Sequence, residues 1–393
     1  MYSKTLLGNI LELHRGYDLP ERERIEGNVP VISSSGYSGM HNQYKCDGEN
    51  VITGRYGTIG EVFFHYGKCW PLNTALYVSD FKGNVPKYIY YLLKYALKMS
   101  IDGKDKSTVP GVDRNVLHKM NIPFCHDIDE QKKIIRVLEL IDKKIEVNNM
   151  INDNLQQQLK LLYDYWFTQF DFPDEKGMPY KSSGGLMVAK DKISYDIPAD
   201  WTVGNLFDNP LTTVIKPGVD IFDKKSYLAT AEVNGTDISI GTLIEYETRE
   251  SRANMQPTVN SVWFAKMKNS IKHLYLNKEM DELVNNSILS TGFCGLQCSE
   301  DTFEYVASFI EHSYFETLKD TLAHGATQEA VNNDDLTGVS FVIPSERVLH
   351  LFHERTQSIY SQISKNICEN QELTQLRDWL LPMLMNGQAV VQN

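Results

Sequence analysis

A chain of 393 residues exceeds one ordinary hydrophobic core, so two or three domains are expected. Hydrophobic residues make up 42% and charged residues 23%. That balance excludes a disordered chain, and no apolar run of about eighteen residues is present to cross a membrane. The net charge of -12 argues against a freestanding nucleic-acid binder.

In chain order, residues 1–125 read as a mixed α/β domain. Short β-rich runs at 50–54, 60–64 and 75–78 alternate with Gly, Asn and Ser turns. A helix is predicted from Pro86 to about Met99, with proline in its first turn, and Ile122-Pro123 sets an extended exit. A long helix is predicted over 130–168. Ile134, Ile141, Asn148, Leu155 and Leu162 recur every seventh residue; Leu138, Ile145, Asn152, Leu159 and Trp166 recur four places later. This is a coiled-coil seam. Residues 171–195, rich in Gly, Pro, Ser and Lys, read as a connector. Ile197-Pro198-Ala199-Asp200-Trp201 opens a second α/β module running to about Pro344.

The second half repeats the first weakly. Ile141, Ile145, Asn148, Asn152, Leu155 and Leu162 return 218 residues later as Ile359, Ile363, Asn366, Asn370, Leu373 and Leu380 (for example 366 − 148 = 218). The second seam comprises Phe352, Ile359, Asn366, Leu373 and Leu380, with Thr356, Ile363, Asn370, Arg377 and Leu384. A period this long is two copies of a module rather than a solenoid. Asparagine in a seam fixes register. If the helices pair antiparallel, Asn148 faces Asn370 and Asn152 faces Asn366. That pairing would place the two modules at opposite ends. The fold class expected is α/β (α+β), with two mixed modules joined by two long helices.

Charge is unevenly spread. Residues 1–125 hold 15 Lys+Arg against 12 Asp+Glu, whereas residues 196–345 hold 10 against 22. A second module that binds DNA must therefore use a local patch. Met1-Tyr2-Ser3-Lys4 leads into no apolar signal core, which points to the cytoplasm. The six cysteines form no disulfide or zinc framework, and Cys294 and Cys298 lack a completing pair; they read as buried or idle thiols.

No catalytic constellation emerges. Residues 54–60 lack the G-x-G-x-x-G spacing, no P-loop occurs, and His350 with His353 lacks the glutamate of a metalloprotease helix. What remains is binding chemistry, because Arg, Lys, Asn, Ser and Thr read base edges and clamp phosphate. The candidates are Ser34, Ser35, Tyr37, His41 and Asn42; Arg55, Tyr56 and Thr58 among glycines; Asn73; and Lys104, Lys106 and Thr108. In the second module they are Arg249, Arg252, Asn254, Lys266 and Lys268, with Lys272 nearby.

The order of these motifs resembles the specificity subunit of type I restriction–modification enzymes. The matching stretches are residues 31–44, then Gly54-Arg55-Tyr56-Gly57-Thr58-Ile59-Gly60 and Trp70-Pro71-Leu72-Asn73-Thr74-Ala75-Leu76-Tyr77. Ile122-Pro123 before Glu130-Gln131, Tyr165-Trp166-Phe167, the connector and Ile197-Pro198-Ala199-Asp200-Trp201 complete the pattern. The resemblance covers essentially the whole chain, although the second module matches the first poorly outside its ends.

The resemblance implies target recognition domains at 1–125 and 196–345. It implies conserved helices at 126–170 and 346–393 that form an antiparallel coiled coil, with a linker at 171–195. Each recognition domain reads half of a split, asymmetric double-stranded DNA site, and the helices set the gap. The chain itself is then non-catalytic. Two modification subunits carry S-adenosylmethionine, and restriction/translocase subunits carry ATP and Mg. No membrane is involved. The rival reading is a two-headed protein-interaction scaffold that binds no DNA.

Overall fold

The computed structural model describes residues 2–55, 60–102, 113–325 and 329–391. The chain divides into unit one, residues 1–143 with 374–393, and unit two, residues 144–373. Each unit therefore holds its own α/β module and a stretch of each long helix.

Unit one opens with β1 (Tyr2–Leu6), a one-turn helix α1 (Leu7–Ile10) and β2 (Glu12–Arg15). Then come β3 (Val29–Ser33), β4 (Gly36–His41), β5 (Glu49–Gly54), β6 (Val62–Tyr66), β7 (Trp70–Pro71) and β8 (Ala75–Asp80). The helices α2 (Pro86–Asp102) and α3 (Arg114–His118) precede β9 (Asn121–Cys125). A four-stranded antiparallel sheet has the order β2-β8-β5-β6. A smaller sheet has the order β4-β3-β7, with β3 and β7 parallel. β1 closes antiparallel on β9. The large sheet buries Leu13, Val51, Val62, Leu76 and Val78 in one core with Ile89, Leu92 and Leu93 of α2.

Unit two repeats this topology. Its strands Thr212–Val214, Phe293–Cys298, Ser261–Ala265 and His273–Leu276 form a four-stranded sheet in that order. A second sheet has the order Thr242–Glu245, Lys224–Leu228, Ser287–Ser290 and Ala253–Met255, and its two central strands are parallel. Thr202–Asn205 pairs with Ser340–Ile343 as β1 pairs with β9. The repeat, weak in sequence outside the helices, is therefore carried by strand order and pairing direction.

The first long helix, α4, runs Ile128–Tyr163 and ends in a π-helical turn, Asp164–Thr168. Asp127 starts it by accepting the N–H groups of Asp129 and Glu130 at 2.9 and 3.2 Å. These caps, that from Glu130 foremost, lower the Asp127 carboxyl pKa. The C-terminal helix runs Glu346–Met385. Within unit two the helices pair antiparallel, because Asn148 meets Asn370 and Asn152 meets Asn366. Asn148 Nδ2 donates to Asn370 Oδ1 at 2.9 Å, and Asn366 Nδ2 donates to Asn152 Oδ1 at 2.8 Å. Asn152 and Asn366 are buried, and their mutual hydrogen bond replaces water that they lose. Within unit one, Arg377 Nη1 lies 2.9 Å from Asp142 Oδ1, and the Tyr91 hydroxyl donates to the other oxygen at 2.6 Å.

The connector has no long regular element but is not loose. Phe172 stacks between Tyr180 and Trp201, with ring centroids at 4.8 and 5.1 Å. Phe172 and Trp201 are buried in the unit-two core, which ties the connector to the module it precedes. Among the described residues, no helix is long and apolar enough to cross a membrane.

Candidate nucleic-acid interface

In unit one, separate candidate segments converge on the short loop between β7 and β8. Ser34 and Ser35 form the tight turn of the β3–β4 hairpin, where Gly36 takes a positive φ of 99°. The Ser34 N–H donates to Thr74 Oγ1 at 3.4 Å, and the Arg55 N–H donates to the Thr74 carbonyl at 2.9 Å. The Asn73 N–H donates to the Tyr17 carbonyl at 3.0 Å, and Arg15 Nε donates to the Asn73 carbonyl at 3.4 Å. Gly16 lets these strands approach: a Cβ there would lie 2.1 Å from the Leu72 carbonyl oxygen. Ser34, Ser35, Arg55 and Asn73, about forty residues apart in sequence at their extremes, thus share one loop.

Aromatic and cationic groups that sequence reasoning passed over lie beside that loop. Tyr17 and Tyr77 are stacked, with ring centroids 5.9 Å apart, and their hydroxyls hydrogen-bond at 2.9 Å. The exposed Lys45 ammonium sits 5.2 Å from the Tyr17 ring and 4.7 Å from the Trp70 ring. Lys68 lies over exposed Tyr44 at 4.6 Å. Interleaved basic and aromatic side chains were the available signal. Arg15 is exposed and near Asp18 at 3.8 Å, and Asp18 also accepts from the Asn73 side-chain amide.

His41 requires a correction. Its side chain is buried, its Nδ1 accepts the Ile25 N–H at 3.1 Å, and its ring packs edge-on against Trp70 at 5.2 Å. It holds the fold and offers nothing to a partner. Asn42 is exposed. Tyr37 is 65% exposed and hydrogen-bonds to His65 Nδ1 at 3.1 Å. Tyr56, Thr58, Lys104, Lys106 and Thr108 lie outside the described residues.

Unit two contains the counterpart of the loop. Phe293–Cys298 pairs with Ser261–Ala265 as β8 pairs with β5, with Ala265 opposite Phe293 just as Gly54 is opposite Ala75. One residue beyond, the Lys266 N–H donates to the Gly292 carbonyl at 2.9 Å, matching Arg55 on Thr74. The Thr291 N–H donates to the Arg252 carbonyl at 2.9 Å, and the Arg252 side chain is exposed. Lys266 and Arg252 therefore meet at residues 291–292.

The sequence leaves open whether the unit-two cations are a binding patch or countercharges, and Lys268, Arg249 and Lys272 each have a partner within the module. Lys268 Nζ is 2.7 Å from Glu329 Oε2. The Arg249 guanidinium lies 3.8 Å from the Tyr246 ring centroid and donates to the Tyr246 carbonyl at 2.6 Å. Asn254 is half-buried on Ala253–Met255. Lys272 donates to the Thr230 carbonyl at 2.5 Å.

Part of the acidity of unit two is consumed internally. Buried His273 bridges Glu311 and Glu316 at 3.0 and 2.8 Å, and fully buried Lys319 meets Glu316 at 2.6 Å. Burial opposes protonation of His273, but hydrogen bonds to both glutamates outweigh it and raise its pKa. Glu316 is likewise opposed by burial, yet its contacts with His273 and Lys319 lower its pKa. Glu304 pairs with His353 at 2.8 Å, and burial raises the Glu304 pKa.

Residues 3–157 match the family model described as the type I restriction modification DNA specificity domain. The specificity subunit of the type I restriction enzyme HindI from Haemophilus influenzae is 22% identical over 324 residues, 68% of each chain. The MjaIX specificity subunit from Methanocaldococcus jannaschii is 25% identical over 323 residues, covering 79% of this chain and 70% of that one. Over about two thirds or more of its length the chain is therefore similar to type I restriction–modification specificity subunits. A crystal structure of the S subunit from M. genitalium has the same fold, with a TM-score of 0.52 at 14% identity, covering 98% of this chain and 96% of that one. The family-model match spans the unit-one loop. The Lys266 loop lies outside the matched residues and is identified by its strand pairing alone.

Proposed function

We propose that this chain is a specificity subunit that reads a bipartite, asymmetric double-stranded DNA site, with one half for each α/β unit. In unit one the reading surface is the loop at 73–74 with Ser34, Ser35 and Arg55. In unit two it is the loop at 291–292 with Arg252 and Lys266. The observation that carries this reading is the equivalent backbone placement of Arg55 and Lys266, each one residue beyond its strand and hydrogen-bonded to its loop. A guanidinium engages guanine O6 and N7 bidentately, whereas an ammonium acts as a point charge. Equivalent positions that carry different cations suit two half-sites of different sequence.

The chain is non-catalytic and works with other restriction–modification subunits and DNA. The finer composition belongs to the proposal: two modification subunits bring S-adenosylmethionine, and restriction subunits bring ATP and Mg. An exposed apolar row on the unit-two stretch of α4 supports protein docking there. It comprises Val147 (49% exposed), Met150 (64%) and Ile151 (40%), at i, i+3 and i+4 spacings that share one helix side. Such a row is unusual on a free surface.

Duplex-binding measurements on the assembled methyltransferase, at two salt concentrations, test the reading. Arg55→Ala is expected to relax discrimination in one half-site only, and Lys266→Ala in the other. Equal losses on every sequence would assign both residues to phosphate contacts alone.

A further inference from the structure

Two cysteines in unit one face each other across neighbouring chain segments. Cys46 and Cys69 form an antiparallel bridge. The Cys46 N–H donates to the Cys69 carbonyl at 3.1 Å, and the Cys69 N–H donates to the Cys46 carbonyl at 2.9 Å. A hydrogen-bonded antiparallel pair has its Cα atoms about 5.5 Å apart, inside the roughly 4.4–6.8 Å range that a disulfide spans. Directly opposed residues of an antiparallel pair project their side chains to the same face, so the two thiols lie on one side. Cys46 is half-buried and reachable, while Cys69 is fully buried behind it.

No other pair in the chain has this relation. Cys294 and Cys298 lie on one strand, four residues and about 13 Å apart, beyond disulfide reach. The Cys125 thiol contacts the Asp127 carbonyl, and the Cys368 thiol contacts the Glu279 carbonyl.

We propose that Cys46 and Cys69 are an oxidisable dithiol, a modification site at which a peroxide closes a reversible disulfide within unit one. The Cys46 sulfur attacks the peroxide O–O bond and becomes a sulfenic acid, releasing water when the peroxide is hydrogen peroxide. The Cys69 sulfur, losing its proton, then attacks the Cys46 sulfur. The S–OH bond breaks, a second water leaves, and the S–S bond forms. Two thiols are oxidised and one peroxide is reduced. A thiol reductant reverses the reaction by exchange. Cys46 is the more exposed of the two and Cys69 is buried, which suits Cys46 as the attacking thiol and Cys69 as the resolving one. The bridge would tie together the roots of two segments: Cys46 leads into β5 and Arg55, and Cys69 leads into β7 and Asn73. The chemistry itself does not depend on what unit one binds.

The test treats the full chain with hydrogen peroxide, denatures it, alkylates the remaining thiols and maps the peptides. The expected result is a single linked peptide pair, Cys46–Cys69, with the other four of six cysteines alkylated (6 − 2 = 4) and full reversal by dithiothreitol. In Cys69→Ser, a cyclic 1,3-diketone should label Cys46 as its sulfenic acid. In the unsubstituted chain that label should be suppressed, because Cys69 resolves the intermediate. The proposal is overturned by the absence of the linked pair at peroxide doses that label Cys46 in Cys69→Ser. Equal diketone labelling of Cys46 in both chains, or no labelling in Cys69→Ser, would also overturn it.

Discussion

Arg55 and Lys266 occupy the same backbone position in two units whose sequences barely align there. Each follows the last residue of a central strand. Each donates its N–H at 2.9 Å to the loop that precedes the neighbouring strand, Arg55 to Thr74 and Lys266 to Gly292. One scaffold, built twice, thus presents a cation beside a loop of small residues.

The unit-one loop depends on the close approach at Gly16. Gly16→Ala places a methyl group against the Leu72 carbonyl, and overpacking against backbone costs about 1–3 kcal/mol. Chemical denaturation should show unit one destabilised by that amount. The half-site read by Arg55 should weaken while the other half keeps its discrimination.

The paired asparagines should behave as a unit. Asn152→Leu strands the buried Asn366 amide, which now donates to Asn152 at 2.8 Å, and an unpaired buried polar group costs about 1–3 kcal/mol. Replacing both with leucine should recover most of this loss, since the apolar pair leaves nothing unsatisfied. A double-mutant cycle in urea measures the coupling, and additive single losses would show that the two do not act together.

The His273 network makes unit-two stability depend on pH. Its folded pKa is raised above the ordinary value of about 6.5. Its contribution is therefore fully present below about pH 6.5 and is lost as pH rises through the folded value. The lowered Glu316 pKa acts oppositely: its contribution is present above the ordinary carboxylate range and fades in acid, as pH falls through the folded value. Thermal unfolding should show unit two losing stability as pH rises above about 6.5 through the raised folded value, and His273→Gln should flatten that slope.

The long helices were largely readable in the sequence because their signal is local and periodic. The seam that holds Asn148 and Asn370 follows from seven-residue spacing, and their pairing follows once the helices run antiparallel. The functional loops are assembled by long-range pairing and were only partly readable. Asn73, Arg55 and Ser34 could be chosen for their chemistry, but not brought together. The equivalence of Arg55 with Lys266 was hidden because the repeat offset drifts. It is 218 at the loop (292 − 74) and 211 at the cation (266 − 55), so a search at one offset loses the match. His41 misled for a different reason: the Ile25 N–H and the Trp70 ring that capture it come from segments distant in sequence.

The helices should act as a ruler between the half-sites. One heptad inserted just after Asn152 and another just before Asn366, its partner on the antiparallel helix, keeps both apolar stripes in phase and adds about 10 Å to each helix. The preferred DNA gap should lengthen by about three base pairs at roughly 3.4 Å each, with both half-site sequences unchanged. Four-residue insertions rotate the stripe and should impair assembly. Methylation of a library of spacer lengths provides the measurement, and an active heptad variant with its original gap would rule out the ruler.

The most direct test of two-unit DNA reading is adenine-methylome sequencing of cells that carry the unsubstituted chain, no chain, Arg55→Ala or Lys266→Ala. The expected result is a split adenine-methylated motif that vanishes without the chain. Its first half should relax in one variant and its second half in the other. A motif that persists without the chain, or two variants that relax the same half, would contradict it.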